Sequence, residues 1–90
     1  MPTVERELEL KNRYGLHARP ATLFAEVANR YTSEIKVEKD GQVVNGKSIF
    51  ELIMLAAEQG SRLVVRASGE DAEQAVAAIA ELVEARFHEE

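Results

Sequence analysis

The chain has no cysteine and no tryptophan, and only two prolines, five glycines and two histidines in 90 residues. Without cysteine there is no disulfide framework, no thiolate nucleophile and no sulfur-ligated zinc, and a reducing cytoplasm is the expected compartment. A bilayer span is missing too. The longest nearly unbroken apolar run, Ile49 to Ala57, is far too short, and Met1 to Leu10 alternates charged and apolar residues without a secretory core. Neither export nor membrane insertion is expected. Cations are the scarcer charge, 11 Lys and Arg against 16 Asp and Glu for a net −5, which argues against a nucleic-acid or anionic-membrane partner. What is present is ordinary for a folded protein, 46% hydrophobic and 30% charged residues, and excludes disorder and collagen-like or low-complexity structure. The length suits one domain, residues 1–90, whose stability must come from packing alone.

Val4, Leu8 and Leu10 stand at even positions among Glu5, Glu7 and Glu9, interrupted by Arg6, and predict a half-buried first strand. From Pro20 the period lengthens, and Pro20, Leu23, Phe24, Val27 and Tyr31 share one helical face. Proline is tolerated in a helix's first turn, which sets the start within a residue or two of His17 and puts His17 at or near the N-cap. Ile35 and Val37, the turn pair Asp40-Gly41, and Val43-Val44 predict a hairpin. Ser48-Ile49-Phe50-Glu51 reads as a capping box, in which Ser48 accepts from the Glu51 N–H and the Glu51 carboxylate reaches back. The helix it opens is expected to run to about Glu58, with Gly60 ending it. Leu63, Val65 and Ala67 predict a fourth strand. Ser68 to Asp71 opens a last helix whose apolar stripe is Ala72, Ala75, Val76, Ile79, Leu82, Val83 and Phe87. The order β-α-β-β-α-β-α has too few strands to be covered on both sides. The economical arrangement is an α+β two-layer open-faced sandwich, with a four-stranded, mostly antiparallel sheet, three helices on one face and water on the other.

Local rules bend at Gly15-Leu16-His17-Ala18-Arg19-Pro20-Ala21. Histidine is a poor N-cap beside Ser, Thr, Asp or Asn, so helix stability alone does not select it. The first N–H groups of a helix are unpaired and form an anion site, here from the backbone of Ala18 and Arg19, and the Arg19 side chain adds a cation. The positive helix end disfavours imidazolium, which is expected to keep His17 neutral and nucleophilic. Residue types alone therefore give an anion site at a helix N-terminus. No metal-ligand set, oriented general base or P-loop accompanies it to activate water.

The same seven residues resemble the active-site signature of the HPr family, the histidine-containing phosphocarriers of the bacterial sugar phosphotransferase system. Asn45-Gly46-Lys47-Ser48-Ile49-Phe50 is similar to that family's second signature, around its regulatory serine. The spacing of the two and the order of elements match over nearly the whole chain. The resemblance implies that His17 accepts a phosphoryl group at Nδ1 from enzyme I, itself charged by phosphoenolpyruvate, and passes it to sugar-specific IIA components, with Arg19 as the active-site arginine. It implies a carrier that is a substrate of other phosphotransferases rather than an enzyme, without cofactor or metal, and monomeric. It further implies that Ser48 can be modified by an HPr kinase/phosphorylase in organisms that have one. A phosphate there suits a helix N-terminus yet would repel acidic partners.

The second helix carries more apolar surface than a two-layer domain can cover. On a helical wheel Leu52, Ile53, Ala56 and part of Ile49 face the sheet, while Phe50 and Met54 point away, which predicts an exposed patch. In the resembling family this surface docks partners beside the histidine, so the expected contact residues are Leu16, Ala18, Pro20, Ile49, Phe50, Ile53 and Met54. Relatives often carry lysines on the exposed face of the first helix; here Glu26 and Asn29 stand, with Arg30 the one cation. His88, beside Glu89 and Glu90, reads as part of a charged, frayed end with no assigned role.

Two other functions share parts of this pattern. An acylphosphatase-like enzyme has similar length and layout, but needs an arginine in a phosphate loop after its first strand and an asparagine to orient water, an order that Gly-Leu-His-Ala-Arg-Pro does not supply. A regulatory paralogue in nitrogen or carbon control would keep the fold, although relatives that only regulate can dispense with the histidine. Charge, finally, is unevenly divided. Residues 67–90 hold one Arg against seven acids, whereas between residues 11 and 30 Lys11, Arg13, Arg19 and Arg30 face only Glu26. That local excess of cations favours a phosphoryl group and acidic protein partners at the His17 end.

Overall fold

Alternation and helical period reappear as elements in the computed structural model, which describes residues 2–89: β1 (Thr3–Glu9), α1 (Ala18–Ala28), β2 (Glu34–Lys39), β3 (Gln42–Asn45), α2 (Ile49–Met54), β4 (Arg62–Ser68) and α3 (Ala72–Glu84), then a 3-10 turn over Arg86–His88. The strands form one sheet in the order β1-β4-β2-β3, each neighbouring pair antiparallel. This is the expected open-faced α+β sandwich. Leu8, Ile35, Val37, Val44, Leu63, Val65 and Ala67 are buried on the helix-covered side. On the water side Arg66 lies 3.3 Å from Glu5 and 3.4 Å from Glu38. The Arg6 interruption also has a reason. Register puts Arg6 opposite Val65, on the covered side. There the Lys11 ammonium, bonded to Glu84 at 2.9 Å, holds that carboxyl below its ordinary value, and Arg6 adds to the effect.

Two helices differ from expectation. In α1 the buried residues are Pro20, Ala21, Phe24, Ala25 and Ala28, while Leu23, Val27 and Tyr31 are only partly buried. A wheel weighted by large side chains is rotated from the true contact face, because alanines let the helix approach closely. α2 ends at Met54, well short of Glu58, and Ala56 takes a positive φ of 51°. Leu55 and Ala57 are both buried. Residues two apart lie on nearly opposite sides of a helix, so burying this pair requires the chain to leave helical geometry. Ala56 and Ile53, expected inward, are exposed instead. The capping box closes by half: Ser48 Oγ accepts from the Glu51 N–H at 3.2 Å, but the Glu51 carboxylate takes the N–H of Asn45 at 2.8 Å rather than that of Ser48.

Asp71 precedes α3 without capping it by its side chain. Its carboxylate accepts from the N–H and hydroxyl groups of Thr32 and Ser33, tying the loop before β2 to the start of α3. The Ser33 hydroxyl first, then the Thr32 N–H, hold the Asp71 carboxyl at about 2, against an ordinary 3.8. A carboxyl depressed in the folded state contributes stability that is present above its unfolded value and lost as pH falls through the folded one. Melting temperature should therefore drop as pH is lowered from 3.8 towards 2. Asp71→Asn should flatten that part of the profile and lower stability near neutrality, which thermal melts across a pH series will measure.

Candidate functional site

His17 is the N-cap of α1, with φ −78° and ψ −171°, and its carbonyl accepts the first helical bond from Ala21 N–H at 2.9 Å. The imidazole makes no cap bond. Pro20, the third helical residue, has no N–H to offer, so the free donors of the first turn are Ala18 and Arg19. Neither N–H has a partner among the described residues. Both residues are exposed, and such a pair of outward N–H groups beside a guanidinium is suited to an anion.

Gly15 sets the entry to this turn. Its φ is +65°, and a side chain there would strike the Ala57 carbonyl and come 2.8 Å from Glu58 Cα. Only glycine accepts both conditions. The approach is close because Leu16 N–H donates to the Ala57 carbonyl at 2.9 Å, which fastens the His17 loop to the segment leaving α2. At the other end of α1, Asn29 donates to the Lys47 carbonyl at 3.1 Å and Lys47 Nζ to the Tyr31 carbonyl at 2.7 Å. These bonds fasten α1 at both of its ends to the chain on either side of α2, so the helices that follow the two sequence signatures pack side by side.

The surroundings of the ring contain residues that sequence reasoning missed. His17 has a side chain 40% exposed, with Nε2 3.1 Å from Glu89 Oε2 and 3.3 Å from Oε1. Nδ1 has no hydrogen-bond partner among the described residues. Tyr14 meets the ring edge-on, centroids 5.8 Å apart at 80°, and the Arg13 guanidinium lies 5.2 Å over the Tyr14 ring. Asn12, fully buried, donates to the Gly15 carbonyl at 2.7 Å and to Glu89 Oε1 at 3.2 Å. The expected frayed end is corrected here. Phe87 is fully buried on a left-handed backbone (φ 55°, ψ 28°), turning the chain so that Glu89 returns to the site; Glu90 lies outside the described residues. No local pattern announces such a return. The cation excess shrinks accordingly, since Lys11 is paired with Glu84 and a carboxylate sits at the histidine.

Of the expected contact residues, Ala18 is exposed, as are Phe50 (80%), Met54 (67%), Ile53 (39%) and Ile49 (38%). Leu16 and Pro20 are instead buried and support the loop from beneath. Ser48 is partly buried at the N-terminus of α2, next to Ile49 and Phe50. Among the described residues, no helix is long and apolar enough to cross a membrane.

A family model described as the PTS HPr component phosphorylation site matches residues 4–85. The HPr-like protein Crh of Halalkalibacterium halodurans is 47% identical over 81 residues, covering 90% of this chain and 96% of its own. Phosphocarrier protein HPr of Borreliella burgdorferi is 46% identical over 81 residues, covering 90% and 94%. Among solved structures, HPr-C-His from Thermoanaerobacter tengcongensis matches with a TM-score of 0.94 and 45% identity, over 97% of this chain and 98% of that one. Crh of Bacillus subtilis, described as a catabolite repression containing protein and as a swapped dimer, matches with a TM-score of 0.74 and 43% identity, over 90% and 93%. Relatives of this chain therefore include a dimer, and the monomer implied by the resemblance is not common to all of them.

Proposed function

The chain belongs to the PTS HPr family of phosphocarriers, and from that premise we propose that it is a cytoplasmic carrier in which His17 Nδ1 takes a phosphoryl group from phosphorylated enzyme I and yields it to sugar-specific IIA components. The observation that carries this reading is the pairing of a half-exposed imidazole, its Nδ1 without a partner among the described residues, with two N–H groups at the same helix N-terminus that also have none there. A phosphoryl group on Nδ1 would lie over the donors of Ala18 and Arg19, with the Arg19 guanidinium free to share its charge. One copy suffices for transfer, since histidine, donors, arginine and apolar patch lie on a single chain. Incubation with phosphoenolpyruvate and enzyme I, followed by intact-mass measurement, should show one added phosphoryl group; no gain in mass would end the reading.

Docking falls to the patch of Ile49, Phe50, Ile53 and Met54. Phe50, as the most exposed of these aromatic and aliphatic side chains, is the expected anchor. Phe50→Ala should slow transfer about tenfold, the effect of losing roughly 1.4 kcal/mol at an interface hot spot, while leaving thermal melting unchanged. Equal transfer rates would remove the patch from the mechanism.

The likeness to Crh favours a regulatory role alongside transfer. Ser48 Oγ already faces the first turn of α2. Phosphate on it would keep favourable contact with that helix end but place negative charge beside Ile49 and Phe50, where acidic partners would be repelled.

A further inference from the structure

Building on the phosphocarrier reading, we infer that Glu89 is a positioning residue for His17: its carboxylate holds the ring proton on Nε2, so that Nδ1 presents its lone pair to the phosphoryl donor. Both carboxylate oxygens lie within reach of Nε2, at 3.1 and 3.3 Å. A carboxylate only accepts, so the neutral tautomer that this contact selects is the one with hydrogen on Nε2 and none on Nδ1. The same partner opposes any reorientation of the ring that would break the Nε2 contact.

The carboxylate is itself held in place. Asn12 gives one amide N–H to Glu89 Oε1 and the other to the Gly15 carbonyl, and its own Oδ1 is buried with no partner among the described residues. Both bonds demand this orientation, because the reversed amide would set oxygen against oxygen. A buried polar atom left unpaired costs stability. Packing alone does not account for that cost, whereas aiming both N–H groups at the His17 loop and at Glu89 does. Phe87 anchors the segment two residues before Glu89 from the core side.

Both directions of transfer use the contact. As Nδ1 attacks, a nitrogen–phosphorus bond forms while the donor's bond to phosphorus breaks, its electron pair remaining with the donor. The ring keeps its Nε2 proton and becomes a cation, which the Glu89 carboxylate faces and balances. When an acceptor nucleophile attacks the same phosphorus, the nitrogen–phosphorus pair returns to Nδ1 and the neutral ring is restored. No proton enters or leaves His17, and a cationic ring departs more readily than a neutral one would.

Long-range proton–nitrogen spectra of the isotope-labelled chain report the tautomer, and uptake from phosphoenolpyruvate and enzyme I reports the rate. The wild type should show hydrogen on Nε2, strongly deshielded by its bond to the carboxylate. Glu89→Gln should lose that deshielding and slow uptake about five- to tenfold. Glu89→Asp should restore part of both, with thermal melting unchanged throughout. Identical ring spectra and rates in wild type and Glu89→Gln would overturn the inference while leaving the carrier function intact, and so would a slower rate with an unaltered ring spectrum. A wild type that takes no phosphate overturns both.

Discussion

Replacing His17 by alanine is expected to abolish phosphoryl uptake while leaving the domain folded. The side chain is part-exposed and makes no cap bond to its helix, so its removal costs little stability, within about 0.5 kcal/mol for a surface change of this kind. Transfer, by contrast, loses its nucleophile, a fall of at least about a thousandfold. His88 is not expected to substitute, since it sits on an exposed left-handed turn and lines a cleft with Val27, Arg30 and Leu82 rather than with the donors of Ala18 and Arg19. Intact mass measured at neutral and at acidic pH makes the test specific. A phosphoryl group on an imidazole is released by acid and one on a hydroxyl is not. Wild type should gain the group and lose it in acid, and His17→Ala should never gain it. Persistence in acid, or uptake by His17→Ala, would move the acceptor elsewhere, with Ser48 the first place to look.

His17 stands out in the sequence because the features that mark it are local. A poor capping residue at a helix start fixed by Pro20 needs no tertiary information to be noticed. The hairpin at Asp40-Gly41 is legible for the same reason: both turn residues adopt positive φ, 51° and 87°, and join Lys39 to Gln42 in register. Where the sequence misleads, contact between distant segments has overridden a local pattern. The face of α1 is set by alanines that weigh little on a helical wheel. The end of α2 is set by the need to bury Leu55 and Ala57 together and to offer the Ala57 carbonyl to Leu16. Leu16 and Pro20, inside the signature, are core residues because the loop that carries His17 must itself be packed to hold its geometry.

Charge shows the same division. Counting residues 11–30 gives a cationic end, but folding pairs Lys11 with Glu84 and brings Glu89 to the histidine. The cations left to meet an acidic partner near His17 are Arg19 and Arg13, the latter resting on the Tyr14 ring. Encounter is thus steered by two guanidinium groups rather than by a broad positive field, and the apolar patch must supply more of the affinity than the sequence suggests.

A large loss of stability is expected at Phe87, a residue that periodicity assigns to the last helix and that the structure places beyond it. Three successive residues there, Arg86, Phe87 and His88, adopt positive φ of 56°, 55° and 61°. Left-handed backbone costs a side-chain-bearing residue about 1–2 kcal/mol, so the turn persists only because something offsets that strain. Complete burial of the Phe87 ring in the core is the compensating term. Phe87→Ala should cost about 3–5 kcal/mol and lower Tm by roughly 15–30 °C for a domain of this size. With the ring gone the left-handed turn has nothing to hold it, and Glu89 should leave His17. Below its melting point, Phe87→Ala is therefore expected to show the altered ring spectrum and slowed uptake of Glu89→Gln, although residue 87 touches no reacting atom. Phe24→Ala, equally buried but in α1, should cost similar stability and leave the Glu89 hydrogen bond in place. A Phe87→Ala domain that melts like wild type, or that loses stability with no change at the His17 ring, would separate the turn from the site and leave its strain without a function.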